Sequence, residues 1–154
     1  MAVHKAKAAV IVVRPVAAVA VAVVARAAAI ADLWTDMTAP TARIYHNARC
    51  SKSRATLALL QEHGCICQVV NYLETPPSVE ELNQLLDQLG MTPREIIRSN
   101  EPEYRELGLD EPTLSDSDLV AAMAAHPVLI ERPIVVVDGK AAIGRPPESV
   151  LSLL

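Results

Sequence analysis

Between residues 42 and 72 a short apolar strand, a helix and a second apolar strand follow with brief returns, and this unit constrains the fold most. Ala42 to Tyr45 reads as the first strand. The helix starts at Cys50, carries Leu57, Leu59 and Leu60 at near-helical spacing, and stops at Gly64. Ile66 to Tyr72 reads as the second strand. A strand–helix–strand passage with so short a return is a βαβ unit, so its two strands run parallel. Thr75-Pro76-Pro77 then breaks the chain.

Three helices are predicted next. Ser78 and Glu81 form a capping box ahead of Leu82, Leu85, Leu86 and Leu89, and Gly90 ends the first. Thr92, Pro93 and Glu95 start the second, leading into Ile96 and Ile97. Ser115 to Asp118 cap the third, which runs through Leu119, Val120 and Met123 and ends near His126-Pro127. His126 reads as a helix-end residue. Pro133 opens a strand over Ile134 to Val137, Asp138-Gly139 is a two-residue hairpin turn, and Lys140 to Ile143 returns. Gly144-Arg145-Pro146-Pro147 leads into a terminal helix with Val150, Leu151, Leu153 and Leu154 apolar. A parallel pair plus a hairpin predicts an α/β domain. Its sheet is thioredoxin-like (glutaredoxin-type) and mixed, with a helical insertion between the second and third strands.

Cys50 is the chemically loaded residue of the βαβ unit. A cysteine at a helix N-terminus meets unpaired backbone N–H groups and the positive end of the helix dipole. His46, Arg49, Lys52 and Arg54 surround it with further basic groups. Such surroundings favour thiolate over thiol and make the sulfur a nucleophile. The same geometry binds oxyanions. A buried cysteine that serves as a small hydrophobe would sit in an apolar stripe, and Cys50 belongs to none.

Charge divides the 154 residues in two. Residues 1–40 carry net +2 and residues 41–154 net −6, giving the overall −4. An acidic domain is a poor partner for nucleic acid. Cys65 and Cys67 share one face of a strand, which points to packing, with a resolving thiol as the alternative. The cysteines and histidines lack the paired spacing of a zinc site, so no metal is expected.

Residues 1–40 form an Ala/Val-rich extension, with the domain expected over 41–154. The apolar run Pro15 to Ala25 is 11 residues, against about 20 needed to span a bilayer. The preferred reading is a segment outside the working protein, with Met37 as a natural start. A signal peptide, and an anchor or disordered tail, are the alternatives. Thiolate chemistry needs a reducing compartment, so a cytoplasmic protein without membrane attachment is expected.

Arg98, Arg132 and Arg145 each fall at an element boundary. In a thioredoxin-like fold the loop before the third strand and the helix start after the fourth lie beside the first helix's N-terminus. Arg132 and Arg145 would then offer planar, bidentate donors beside the thiolate, suited to a tetrahedral oxyanion.

Several separated motifs now fall in a familiar order. They are Tyr45-His46-Asn47 with Cys50 and Ser53, Tyr72-Leu73-Glu74-Thr75-Pro76, Ile97-Arg98-Ser99-Asn100, His126-Pro127, Glu131-Arg132-Pro133-Ile134-Val135-Val136 and Gly144-Arg145-Pro146-Pro147-Glu148. In these the chain resembles the glutaredoxin-coupled arsenate reductases, over roughly residues 42–154. The resemblance implies Cys50 as nucleophile, His46 helping to lower its pKa, and Ser53 hydrogen-bonding the thiolate. It implies Arg98, Arg132 and Arg145 as binders of arsenate and its covalent adduct. It implies glutathione as co-substrate, glutaredoxin as partner and no bound cofactor. It also implies a cis bond at Pro133, facing Cys50. Ala48 departs from the family's usual proline, and the chain ends at Leu154, where the full-length enzymes carry a further tail. Two other functions share the fold. One is an Spx-type regulator of RNA polymerase, which senses oxidation through Cys-x-x-Cys; here Ser53 replaces the second cysteine. The other is a general glutathione-dependent thiol oxidoreductase.

Overall fold

The computed structural model describes residues 39–154. The expectations for the Ala/Val-rich extension and for a start at Met37 fall on residues outside the described ones.

The βαβ unit forms as expected. β1 (Thr41–His46) leads to α1 (Ser51–Glu62), and β2 (Ile66–Asn71) returns parallel to β1 with Ile44 opposite Val69. Gly64 ends α1 at φ +74°, a left-handed conformation that glycine reaches at no steric cost. This lets the Gly64 and Cys65 N–H groups donate to the Gln61 and Leu60 carbonyls. β3 (Ile134–Val137) pairs antiparallel with the other edge of β1, and β4 (Lys140–Ile143) pairs with β3. Asp138 and Gly139 both take positive φ, as a two-residue turn matched to the strand twist requires. The sheet order is β2-β1-β3-β4, the mixed sheet expected of a thioredoxin-like fold.

The insertion lies between β2 and β3: α2 (Val79–Leu89), α3 (Pro93–Ile96), α4 (Pro102–Glu106) and α5 (Asp116–Ala125), then a 3₁₀ turn over Pro127–Leu129. The capping boxes at Ser78 and Ser115 are closed: Ser78 and Glu81 exchange bonds of 3.0 and 3.2 Å, and Ser115 and Asp118 bonds of 2.9 and 3.2 Å; at Thr92 the Glu95 carboxylate accepts the backbone N–H at 2.6 Å. Each such cap contributes about 1 kcal/mol. α4 was absent from the sequence reading. It is five residues long, started by Pro102 and without a buried residue, so it carries no apolar period. The terminal segment Pro147–Leu153 is 3₁₀ helix.

Strand alternation divides the core between the two faces of the sheet. Tyr45 and Ile134 face the insertion and pack with Leu82, Ile96, Leu119 and Met123. Ala42, Ile44, Val135 and Val137 face the other way and pack with Leu60 of α1 and Val150 of the terminal turns. The two layers fix the C-terminal end of β1, where the Cys50 loop begins, from both sides.

Candidate active site

The loop from His46 to Cys50 is held by its own backbone. The Cys50 N–H donates to the Asn47 carbonyl at 2.9 Å, and the Arg49 N–H donates to Asn47 Oδ1 at 2.9 Å. This tight turn sets Cys50 at the N-cap of α1, with extended φ of −90° and ψ of 121°. Burial of the sulfur pushes its pKa up. The Ser53 and Lys52 backbone N–H groups, the Ser53 hydroxyl and the Arg132 side chain push it down and prevail, so the Cys50 thiol lies below the ordinary thiol range. Ser53 is fully buried. Lys52 acts through its backbone N–H; its side chain and those of Arg49 and Arg54 are exposed to solvent.

His46 closes β1 beneath this loop and is buried. Burial and the nearby Arg54 charge lower its pKa, against a contact with the Ser53 backbone that raises it. The net direction favours neutral imidazole at pH 7, so His46 adds no standing positive charge beside the sulfur.

The three arginines converge. An isolated antiparallel bridge pairs Ile97 with Ile130. Across it the Arg98 N–H donates to the Leu129 carbonyl at 2.8 Å and the Glu131 N–H to the Ile96 carbonyl at 2.9 Å. Two distant chain segments are thereby fixed side by side. Arg145 Nη2 lies 3.9 Å from the Cys50 sulfur, and its Nε donates to the Arg132 carbonyl at 2.8 Å. Arg132 favours the thiolate directly. Arg98 joins the group through two acids. It pairs with Glu101, and its Nε lies 4.0 Å from Glu131 Oε1. Glu101 also stands 3.9 Å from Arg132 Nη1, and Glu131 Oε1 forms an ion pair with Arg145 Nε at 2.9 Å. The peptide bonds before Pro133 and Pro146 are both cis.

Cys50, Ser53, Arg132 and Arg145 thus form one constellation, with His46 beneath it and Arg98 tied in at its rim. Sequence reasoning missed Glu101 and Glu131 as the acids that hold the arginines, and Tyr72, whose buried hydroxyl faces Arg132. The Arg98-to-Glu101 spacing of three was the one local signal available. Beside the loop runs a groove of about 320 Å³, lined by Asn47, Ala48, Arg49, Asn71, Leu73 and Glu74. Chemically, the site offers a stabilised sulfur nucleophile facing guanidinium donors, an arrangement for attack on an oxyanion. Among the described residues no three His, Cys, Asp or Glu side chains gather to hold a metal, and no helix is long and apolar enough to cross a membrane.

The sequence pattern of the ArsC family matches residues 45–153. The chain is 49% identical over 116 residues to an arsenate reductase of Neisseria meningitidis, covering 75% of this chain and 99% of that protein. It is 54% identical over 113 residues to the uncharacterised protein YfgD of Escherichia coli, covering 73% of this chain and 95% of that one. The solved structure of an arsenate reductase from Vibrio cholerae superposes with a TM-score of 0.74 at 57% identity, over 76% of this chain and 100% of that one.

Proposed function

The chain belongs to the ArsC family, and from that premise we propose that it reduces arsenate to arsenite, with glutathione and glutaredoxin supplying the electrons. The observation that carries this reading is the Cys50 thiol, lowered below its ordinary range with Arg132 and Arg145 against it.

The Cys50 thiolate attacks arsenic and forms a sulfur–arsenic bond, while one arsenate oxygen leaves as water after taking up protons. Arg132 and Arg145 neutralise the charge on the remaining oxygens, and Arg98 extends the positive field. Glutathione displaces a second oxygen and becomes bound to arsenic through its sulfur. A glutaredoxin thiolate attacks that sulfur, and the electron pair of the arsenic–sulfur bond stays on arsenic. Arsenic is reduced from the +5 to the +3 state, and the two outside thiols are oxidised to a mixed disulfide. Water then releases arsenite and returns Cys50 to the thiol. The groove beside Asn47 and Arg49 is open for a small thiol that carries carboxylates, such as glutathione. This chemistry belongs in a reducing compartment, the cytoplasm.

The test is arsenate-dependent NADPH oxidation with glutathione, glutaredoxin and glutathione reductase supplied. Turnover is expected, with none in Cys50→Ser and a loss of about 10²-fold or more in Arg132→Ala. Turnover in Cys50→Ser equal to the parent would defeat the proposal.

A further inference from the structure

Three neighbouring strand ends bring Tyr72, Asn47 and Arg132 together. β1 and β2 run parallel with His46 opposite Asn71, and Asn47 and Tyr72 directly follow that last pair. β1 and β3 run antiparallel with Tyr45 opposite Ile134, and Arg132 precedes that last pair by two residues. Asn47 belongs to the nucleophile loop, Arg132 to the anion-binding group, and Tyr72 follows the edge strand.

Tyr72 is 1% exposed, and its hydroxyl is sealed from solvent without a closed hydrogen bond. Arg132 Nε and Nη1 are sealed in the same way. A buried tyrosine oxygen normally has a partner; without one a phenylalanine would fit the place better. The groups facing this oxygen are the Arg132 and Asn47 side chains, with the Arg98 charge further off. Both neighbours approach as donors. Guanidinium has only N–H groups. Asn47 Oδ1 already accepts the Arg49 N–H, which leaves the Asn47 amide nitrogen for Tyr72. Arg132 in turn faces both Cys50 and Tyr72.

We propose that Tyr72 is a positioning residue: its hydroxyl oxygen accepts from Asn47 and Arg132 and so keeps the Arg132 guanidinium in register with the Cys50 loop. The inference rests on the reading of Cys50 as the nucleophile, and it acts through Arg132 without touching substrate. Burial pushes the Tyr72 phenol above its ordinary range, so the hydroxyl stays protonated while Cys50 titrates.

The experiment is the pH profile of Cys50 alkylation by iodoacetamide, in a parent carrying Cys65→Ala and Cys67→Ala. Tyr72→Phe, Arg132→Ala and the double variant are compared with it. Tyr72→Phe is expected to move the midpoint upward, by less than Arg132→Ala does, and to add nothing in the Arg132→Ala background. The kcat/KM for arsenate is expected to fall about two- to tenfold in Tyr72→Phe, the range for one displaced hydrogen bond. Thermal melting is expected to fall by only a few degrees, the scale of one hydrogen bond. A Tyr72→Phe profile superimposable on the parent overturns the proposal. Additive shifts in the double variant, or a large loss of melting temperature with an unchanged profile, overturn it equally. Alkylation needs no arsenate, so this result stands apart from the turnover assay that decides arsenate reduction.

Discussion

Glu131 anchors Arg145: its Oε1 lies 2.9 Å from Arg145 Nε in an ion pair, while Nη2 of the same guanidinium lies 3.9 Å from the Cys50 sulfur. Glu131 Oε1 also accepts the Arg132 N–H at 2.9 Å. One carboxylate thus orients two of the donors that face the nucleophile. Arg145 is 37% exposed on its side chain, so the ion pair contributes little to stability. Its effect lies in orientation.

Glu131→Ala is therefore expected to lower kcat/KM for arsenate by about tenfold, the cost of loosening a charged hydrogen bond at the reacting centre. Glu131→Gln keeps an accepting oxygen and is expected to lose less. Equilibrium unfolding in urea is expected to differ from the parent by less than about 1 kcal/mol in Glu131→Gln. Equal activity in Glu131→Ala and the parent would remove Glu131 from the site.

Cys50 gives a pH dependence with a definite sign. Its folded pKa is depressed, so between that value and the unfolded thiol value the unfolded chain binds the extra proton. Stability from this group is full above the unfolded pKa and is lost as pH falls through the folded pKa. The stability gap between the parent and Cys50→Ala, followed by denaturant titration, is expected to grow with rising pH across that window and then level off. Ser53→Ala removes the hydroxyl that favours the thiolate and is expected to raise the lower edge of that window, narrowing it. A gap that shrinks with rising pH would contradict the assignment.

Cys65 and Cys67 behave in the opposite sense. Burial pushes both thiols up, and the neighbouring Cys65 charge pushes Cys67 further. Stability from these groups is full below the unfolded thiol pKa and is lost as pH rises through their folded values. They are expected to alkylate far more slowly than Cys50 at pH 7, as mass-mapped iodoacetamide labelling can show. Activity is expected to survive in Cys65→Ala and Cys67→Ala. Cys65→Ser puts a hydroxyl into an apolar cluster and is expected to cost about 1–3 kcal/mol of stability without loss of turnover per folded molecule.

The sheet was legible because its signals are local. Gly64, Asp138-Gly139 and the Ser78 and Ser115 caps each mark a boundary within a few residues. Cys50 was legible for the same reason, since it stands at a helix start; Ser53 was legible only through the family resemblance. The acids that hold the arginines were not. Glu101 meets Arg132 across 31 positions and Glu131 meets Arg145 across 14, and the Ile97–Ile130 bridge helps to set the first two segments together. Tyr72 was read as strand because its role appears only when three strand ends are aligned. The sequence reading counts His46 among the basic neighbours; its burial, which favours the neutral ring, is a property of the packed fold.

Gly144 provides the last prediction. It ends β4 directly ahead of Arg145, and its N–H donates to the Pro133 carbonyl at 2.9 Å. A Cβ at this position would collide with Thr56 Oγ1 and lie 2.8 Å from Pro133 Cγ. Only a residue without a side chain lets β4 approach both α1 and the segment that carries Arg132. Gly144→Ala is expected to cost about 1–3 kcal/mol, as overpacking of a filled site does. It is also expected to lower kcat/KM, because relief of the collision displaces Pro133 and with it Arg132 or Arg145. Thr56 Oγ1 is buried without a hydrogen-bond partner, so Thr56→Ala removes the nearer obstacle at little cost. The double variant Gly144→Ala/Thr56→Ala is expected to recover part of the melting temperature lost in Gly144→Ala. A Gly144→Ala protein as stable and active as the parent, or a double variant less stable than both single ones, would show that close packing here does not position the arginines.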